Sequence, residues 1–240
     1  MPAQDSTTPR LQVIGATSGY GQTNVISDVT FSVAPGETLA VLGKNGMGKS
    51  TLLKMLMGYL KNRGGRVTLE GRDITNRAPH LNARDAISFT PQEFTIFQEL
   101  SVEENLRLGV ARDRDFSERF ADVKSYFPVI GERLRQRAGT LSGGEQKMLL
   151  LTRALVSRPK LMLVDEISEG LQPSVVLRVA DVLRAANRDL GISVLLVEQN
   201  LRFALSVADR YAILKLGEIV ETGKVAGPEM APSLASHLQI

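Results

Sequence analysis

Residues 43–51, reading GKNGMGKST, constrain this chain more than any other stretch. They fit the pattern G-x-x-x-x-G-K-[ST], with Gly43, Gly48, Lys49 and Ser50 in register. A short apolar run, LAVL, precedes them, and STLLKML, with apolar residues at helical spacing, follows from Ser50. A buried strand that turns at once into a helix is the building unit of an α/β sheet, and its loop lies at the carboxyl edge where such sheets take ligands. Glycines let consecutive backbone N–H groups turn inward around an anion. The helix start adds unpaired donors and the positive end of the helix dipole. Asn45, Gly46 and Thr51 lie in the same turn and are counted with it. Lys49 is placed to reach the β- and γ-phosphates of a nucleotide, and the Ser50 hydroxyl to bind Mg²⁺. The bland alternative is a Gly-rich turn with an exposed lysine; the strand-to-helix context argues against it.

Two further stretches belong with the first. Residues 160–166, KLMLVDE, are an apolar run ending in two carboxylates. Alone this reads as a solvated strand end. Beside a phosphate loop, Asp165 is expected to hold Mg²⁺ and Glu166 to orient the attacking water. Residues 141–146, LSGGEQ, place a serine hydroxyl and two glycines at the start of a helical run, EQKMLLLTRALV. Read alone, Ser142 is an N-cap before a Gly-rich turn. Taken with the first loop, Ser142, Gly143 and Gly144 form a second phosphate-binding helix start. One nucleotide rarely needs two such sites from one protomer, so the second is expected to serve a nucleotide bound by a partner chain.

The rest of the chain alternates strand-like and helix-like runs. Strands are expected near 25–33, 37–42, 66–69, 86–89, 161–164 and 193–197, and a hairpin at 211–221 turns on Gly217. Residues 94–157 are mostly helical and more polar, and 171–190 have helical periodicity. The fold class is α/β: a mixed-sheet core, an antiparallel β portion at the start and a helical insertion in the middle. The domain plan is a flexible tail over 1–10, then one domain over 11–240, with core at about 11–92 and 158–240 and a helical subdomain at about 93–157. Composition excludes other classes. The chain has 240 residues and no Cys, so disulfides, thiolate metal sites and a Cys nucleophile are out. A net charge of +3 without a basic, aromatic-laced run gives no nucleic-acid footprint. No stretch approaches the roughly 18 apolar residues of a membrane-spanning helix, and the start lacks a signal peptide's apolar core. His80 follows a proline in a polar segment and His237 lies close to the end of the sequence, so both are expected to be solvated.

Together the three stretches resemble those of the ATP-binding-cassette (ABC) ATPases over about residues 11–223. The resemblance implies the P-loop ABC ATPase fold, ATP and Mg²⁺ as ligands, and ATP hydrolysis. It implies that Tyr20, in SGYGQ ahead of the first strands, stacks on adenine, and that Gln92, in FTPQEF, contacts both nucleotide and Mg²⁺. Within the family, LVEQNLRFAL, VADRYAIL, ISEGLQP and IFQELSVEENLRLG are similar to the ATPase subunits of branched-chain amino-acid importers and their amide and urea relatives. This implies a second ATPase subunit, transmembrane permease subunits, indirectly a solute-binding protein, no nucleic acid, and a peripheral position on the cytoplasmic face of the cell's inner membrane. Phe94, Ile96 and Phe97 are expected at the permease contact.

Three positions depart from the general pattern. Ile167 stands where proline is usual, so the exit from the strand is expected to be looser. Gln172 stands where an aspartate usually crosses the dimer interface. Gln199 stands where a γ-phosphate-sensing histidine is usual; it bonds through its amide but carries no titratable charge. The strand over 193–197 is expected to aim Glu198 and Gln199 at the nucleotide. The named importer branch often shares the last two departures, so Lys49, Glu166 and Gln199 keep catalytic roles. The competing readings are a soluble cassette ATPase acting on DNA or ribosomes, and a weakly hydrolysing subunit. Sustained heptads or a second cassette would favour the former, and the chain has neither.

Overall fold

The structure, a computed structural model, describes residues 8–92 and 96–237. Within them lie strands β1 (Leu11–Tyr20), β2 (Thr23–Val33), β3 (Thr38–Leu42), β4 (Gly64–Leu69), β5 (Arg72–Asp73), β6 (Ile87–Thr90), β7 (Leu161–Asp165), β8 (Ser193–Glu198), β9 (Arg210–Lys215) and β10 (Glu218–Lys224). The helices are α1 (Lys49–Met57), α2 (Pro79–Arg84), α3 (Val102–Arg107), α4 (Phe116–Val123), α5 (Pro128–Glu132), α6 (Gly143–Val156), α7 (Pro173–Leu190), α8 (Leu201–Val207) and α9 (Ala231–His237).

The strands form two sheets. One is antiparallel, in the order β2-β1-β4-β5; the other is mixed, in the order β10-β9-β3-β8-β7-β6. In the mixed sheet β9, β3, β8, β7 and β6 run parallel, and β10 closes the edge antiparallel to β9. Strands buried on both faces read as continuous apolar runs, and TLAVL, LMLV and SVLLV do. Their alternation sorts the two faces. Leu39, Val41, Leu161, Leu163, Leu195 and Val197 join a core with α1 and the antiparallel sheet. Ala40, Leu42, Met162, Val164, Val194 and Leu196 join a second core with α3 to α9. Burying each Leu or Val is worth about 1.5–3 kcal/mol, so the position of these strands is set by burial rather than by the polar residues they carry. In consequence the carboxyl ends of β3, β8, β7 and β6 lie side by side, and they deliver residue 43, Glu198, Asp165 and Gln92 to one edge.

Several expectations need correction. Tyr20 is not ahead of the first strand; it ends β1, paired with Thr23 of β2. Residues 1–7 of the expected tail lie outside the described residues, as does Phe94, while Arg10 is fixed by an ion pair to Glu70 and by the Glu70 N–H on its carbonyl at 3.0 Å. The exit from β7 is not loose: Ile167 is 1% exposed and belongs to the helical-side core.

Candidate functional site

The loop after β3 is shaped by three glycines. A Cβ on Gly43 would lie 2.7 Å from the Leu214 carbonyl oxygen, so only glycine lets the loop pass β9. Gly46 and Gly48 have φ of +82° and +101°, left-handed values that suit glycine. Gly48 precedes α1 without offering any side-chain cap, so the donors of the first turn are not taken by a side-chain acceptor there. Asn45, Gly46, Gly48, Lys49, Ser50 and Thr51 line a cleft of about 310 Å³, with Val25, Gln92 and Glu166.

The acid pair closes the other side. Lys49, 3% exposed, donates from Nζ to the carbonyls of Gly43 (2.7 Å) and Lys44 (2.8 Å) and pairs with Glu166 Oε1 at 2.9 Å. Gln92 Nε2 donates to Glu166 Oε2 at 3.0 Å and also to the carboxylate of Glu169. Ser50 Oγ donates to Asp165 Oδ1 at 3.1 Å. Burial pushes the Asp165 carboxyl up to about 6, against the pull of the Ser50 hydroxyl. Among the described residues no three His, Cys, Asp or Glu cluster as a metal cage. The donors present are a hydroxyl, a desolvated carboxylate and an amide, a hard oxygen set of the kind that holds Mg²⁺ with one or two protein groups plus phosphate and water. These residues therefore fit the ion.

Other expected residues lie elsewhere. Tyr20 is half exposed on its strand end. Gln199 is exposed just past β8, does not line the cleft, and its side chain makes no hydrogen bond among the described residues. Ser142 caps α6: its hydroxyl accepts the Glu145 N–H at 3.4 Å, and Glu145 Oε2 accepts the Ser142 N–H at 2.9 Å and its hydroxyl at 2.8 Å. Gly143 and Gly144 form the first turn behind it, and a Cβ on Gly143 would meet nothing within 4 Å. Gln172 is an exposed N-cap position of α7.

Two residues of consequence were not legible at first. Glu198 does not face the cleft. It is 1% exposed and accepts from Ser168 N–H (3.0 Å), Ser168 Oγ (2.9 Å) and Asn200 N–H (3.4 Å). Lys147 of α6 donates to the carbonyls of Ile167 (3.1 Å) and Glu169, and desolvation lowers its ammonium pKa. The signal was the sheet itself: β7 and β8 pair in register with Asp165 opposite Val197, so the residues just past both ends had to meet.

A second cleft, about 1070 Å³, opens between α1, β6 and the helical layer. Exposed Tyr59, Phe97 and Leu108 line it together with Lys54, Arg84 and Arg158. Ile96 instead packs against the helical-side core.

With this geometry in view the comparisons are consistent. A family described as ABC transporter matches residues 26–169. The chain is 40% identical to the high-affinity branched-chain amino acid transport ATP-binding protein BraG of Pseudomonas aeruginosa, over 84% of this chain and 87% of that protein. It is 33% identical to the probable branched-chain amino acid transport ATP-binding protein LivF of Archaeoglobus fulgidus, over 89% and 91%. Among solved structures it is similar to the ADP conformation of an ATP-binding cassette of an ABC transporter, with a TM-score of 0.85 and 27% identity over 96% of both chains. A nucleotide-free cassette from an ABC transporter matches with a TM-score of 0.82 and 26% identity over 95% of both.

Proposed function

This chain belongs to the ABC transporter family, as an ATP-binding and ATP-hydrolysing subunit, and on that premise we propose that it powers an importer of small amino-acid-type solutes, branched-chain amino acids foremost. The observation that carries the reading is the cluster of Lys49, Ser50, Gln92, Asp165 and Glu166 around one loop. In it, Lys49 exchanges its bonds to Gly43, Lys44 and Glu166 for phosphate oxygens, and the backbone N–H groups from Asn45 to Thr51 hold the rest of the phosphate chain. Ser50, Asp165 and Gln92 hold Mg²⁺. When bound, the ion neutralises charge on the phosphates. Glu166, released from Lys49, orients the attacking water. Gln199 senses the γ-phosphate, and Tyr20 stacks on adenine. Ser142, Gly143 and Gly144 serve the nucleotide of a second ATPase subunit, so that closing the pair sandwiches two nucleotides and hydrolysis reopens it.

The remaining partners follow from the same reading. No helix among the described residues is long and apolar enough to cross a membrane, and the chain sits peripherally on the cytoplasmic face of the membrane, held by transmembrane permease subunits. The region 93–157 acts as a helical subdomain, and the groove with Phe97 at its rim receives a cytoplasmic helix of a permease. A solute-binding protein acts on the permeases from the other side, and nucleic acid has no part.

Glu166→Gln tests the mechanism in the purified chain. Turnover is expected to fall about 10²- to 10⁴-fold, the range of a lost side chain that positions and polarises the attacking water, with ATP affinity kept. Equal turnover of mutant and wild type removes Glu166 from the chemistry.

A further inference from the structure

Glu166 stands at φ +43°, a left-handed value uncommon outside glycine, which persists only where the surroundings over-determine it. Its N–H donates to the Val197 carbonyl at 3.0 Å, which fixes the end of β7 to β8. Position 167 holds Ile and not a proline that would fix its φ, and the three residues after Glu166 take their shape from contacts elsewhere. They are gripped from two directions instead. Lys147 of α6 takes the carbonyls of Ile167 and Glu169. Glu198, at the end of β8, takes the N–H and the hydroxyl of Ser168. The same carboxylate accepts the Asn200 N–H, so the loop after Glu166 and the turn that carries Gln199 share one anchor.

We propose that Glu198 is a positioning residue of the hydrolytic centre: through Ser168 it fixes the loop that presents Glu166 to the cleft. The proposal rests on Glu166 being the water-orienting acid. The carboxylate ties two turns together: without it the Ser168 N–H and hydroxyl and the Asn200 N–H lose their acceptor. Its two oxygens accept from three donors on two different turns, a geometry no apolar side chain provides. Lys147 completes the arrangement by attaching α6, whose start serves the partner's nucleotide, to the loop that carries this chain's own acid.

The test is steady-state ATP hydrolysis by the purified full chain, with thermal unfolding on each variant. Glu198→Ala is expected to lower kcat at least about tenfold, with KM for ATP within about twofold, because displacing a reacting group by an ångström costs up to about a hundredfold while the phosphate loop is untouched. Glu198→Gln is expected to recover most of the rate. Its carbonyl can accept the Ser168 N–H, and its amide can donate to the Ser168 hydroxyl, which then accepts. Ser168→Ala, a smaller change, is expected to lower kcat about fivefold in the wild-type background and to do little further in Glu198→Ala, the non-additivity of residues acting as a unit. It decides the matter if Glu198→Ala fails to fold. Wild-type kcat in both Glu198→Ala and Ser168→Ala overturns the proposal, and so does a raised KM with kcat intact. A wild-type chain that binds and hydrolyses no ATP defeats the functional reading itself, a separate result.

Discussion

Two helices in this chain start with a glycine-rich turn, and they start differently. α1 follows Gly48, which offers no side-chain acceptor, and its first turn opens onto the cleft. α6 follows Ser142 and closes on itself in a full capping box, with Glu145 reaching back to the Ser142 N–H and hydroxyl. The first start leaves its donors free of any side chain; the second engages the N–H groups of Ser142 and Glu145 in its own box and leaves those of Gly143 and Gly144 outside it. The contrast extends to charge. At α1 the charged side chain of the first turn is the Lys49 ammonium, an attractor for phosphate. At α6 it is the Glu145 carboxylate, held below the usual carboxylate range by its bonds to Ser142. The motif alone does not distinguish an uncapped helix start from one that must release its own cap before it can take an anion; the capping does.

The sharpest way to break this comparison is at α1. Lys49→Ala is expected to weaken ATP binding at least about a hundredfold, since it removes a charged donor worth about 1.5–3 kcal/mol per bond and leaves the Asp165 and Glu166 carboxylates facing the phosphates without it. Calorimetry measures the loss, and circular dichroism shows whether the fold is retained. The substitution also leaves Glu166 without its ion-pair partner, although the carboxylate keeps its bond from Gln92 and its place on the cleft wall. Unchanged affinity would mean that α1 is no more a phosphate site than α6.

The same contrast explains what was legible in the sequence. The phosphate loop, β3, β7 and β8 were readable because spacing and short apolar runs encode them locally. β1 was not. LQVIGATSGY breaks alternation at Gly15, whose φ is +62°, and its pairing with β2 shifts register three times between Val13 and Gly19. Period-2 reasoning has no purchase on such a strand. The place of Asp165 beside Ser50 was readable because it needs only a strand end next to the loop. Glu198 stands at an equivalent strand end one strand over, and it was misread for that reason: local sequence does not say which of two such carboxylates meets the Ser50 hydroxyl and which is folded under Ser168. Ile167 misled in the same way. The absent proline suggested slack, but the loop is held by Lys147 and Glu198, residues 20 and 31 positions away in the chain, and no local pattern joins them.

A smaller effect is expected at α6. Ser142→Arg removes an N-cap worth about 1 kcal/mol and places a bulky cation where a partner's nucleotide would sit. ATP affinity of the single chain is expected to stay within about twofold, because α6 lines no part of its own cleft. ATP-driven dimerisation, followed by light scattering in the Glu166→Gln background to hold the closed state, is expected to disappear. A variant that still dimerises would leave α6 a structural helix start and nothing more.

The smallest effect is the most discriminating. Glu145 accepts both donors of Ser142, so the Ser142 hydroxyl can serve a partner's γ-phosphate only by giving up that carboxylate, and the carboxylate then stands near like charge. Glu145→Gln keeps a residue able to complete the capping box and removes the charge, at the loss of an ion pair to Arg133 at 3.1 Å whose exposure limits its worth. If α6 receives the partner's nucleotide, ATP-driven dimers of Glu145→Gln should be a few-fold tighter than wild type, a gain of about 1 kcal/mol or less, and the advantage should shrink as salt screens the repulsion. If α6 is only a capped helix, the substitution leaves dimerisation unchanged at every salt concentration. The sign and salt dependence of this one difference separate the two kinds of helix start more cleanly than any loss-of-function variant, because a gain in affinity cannot come from damage to the fold.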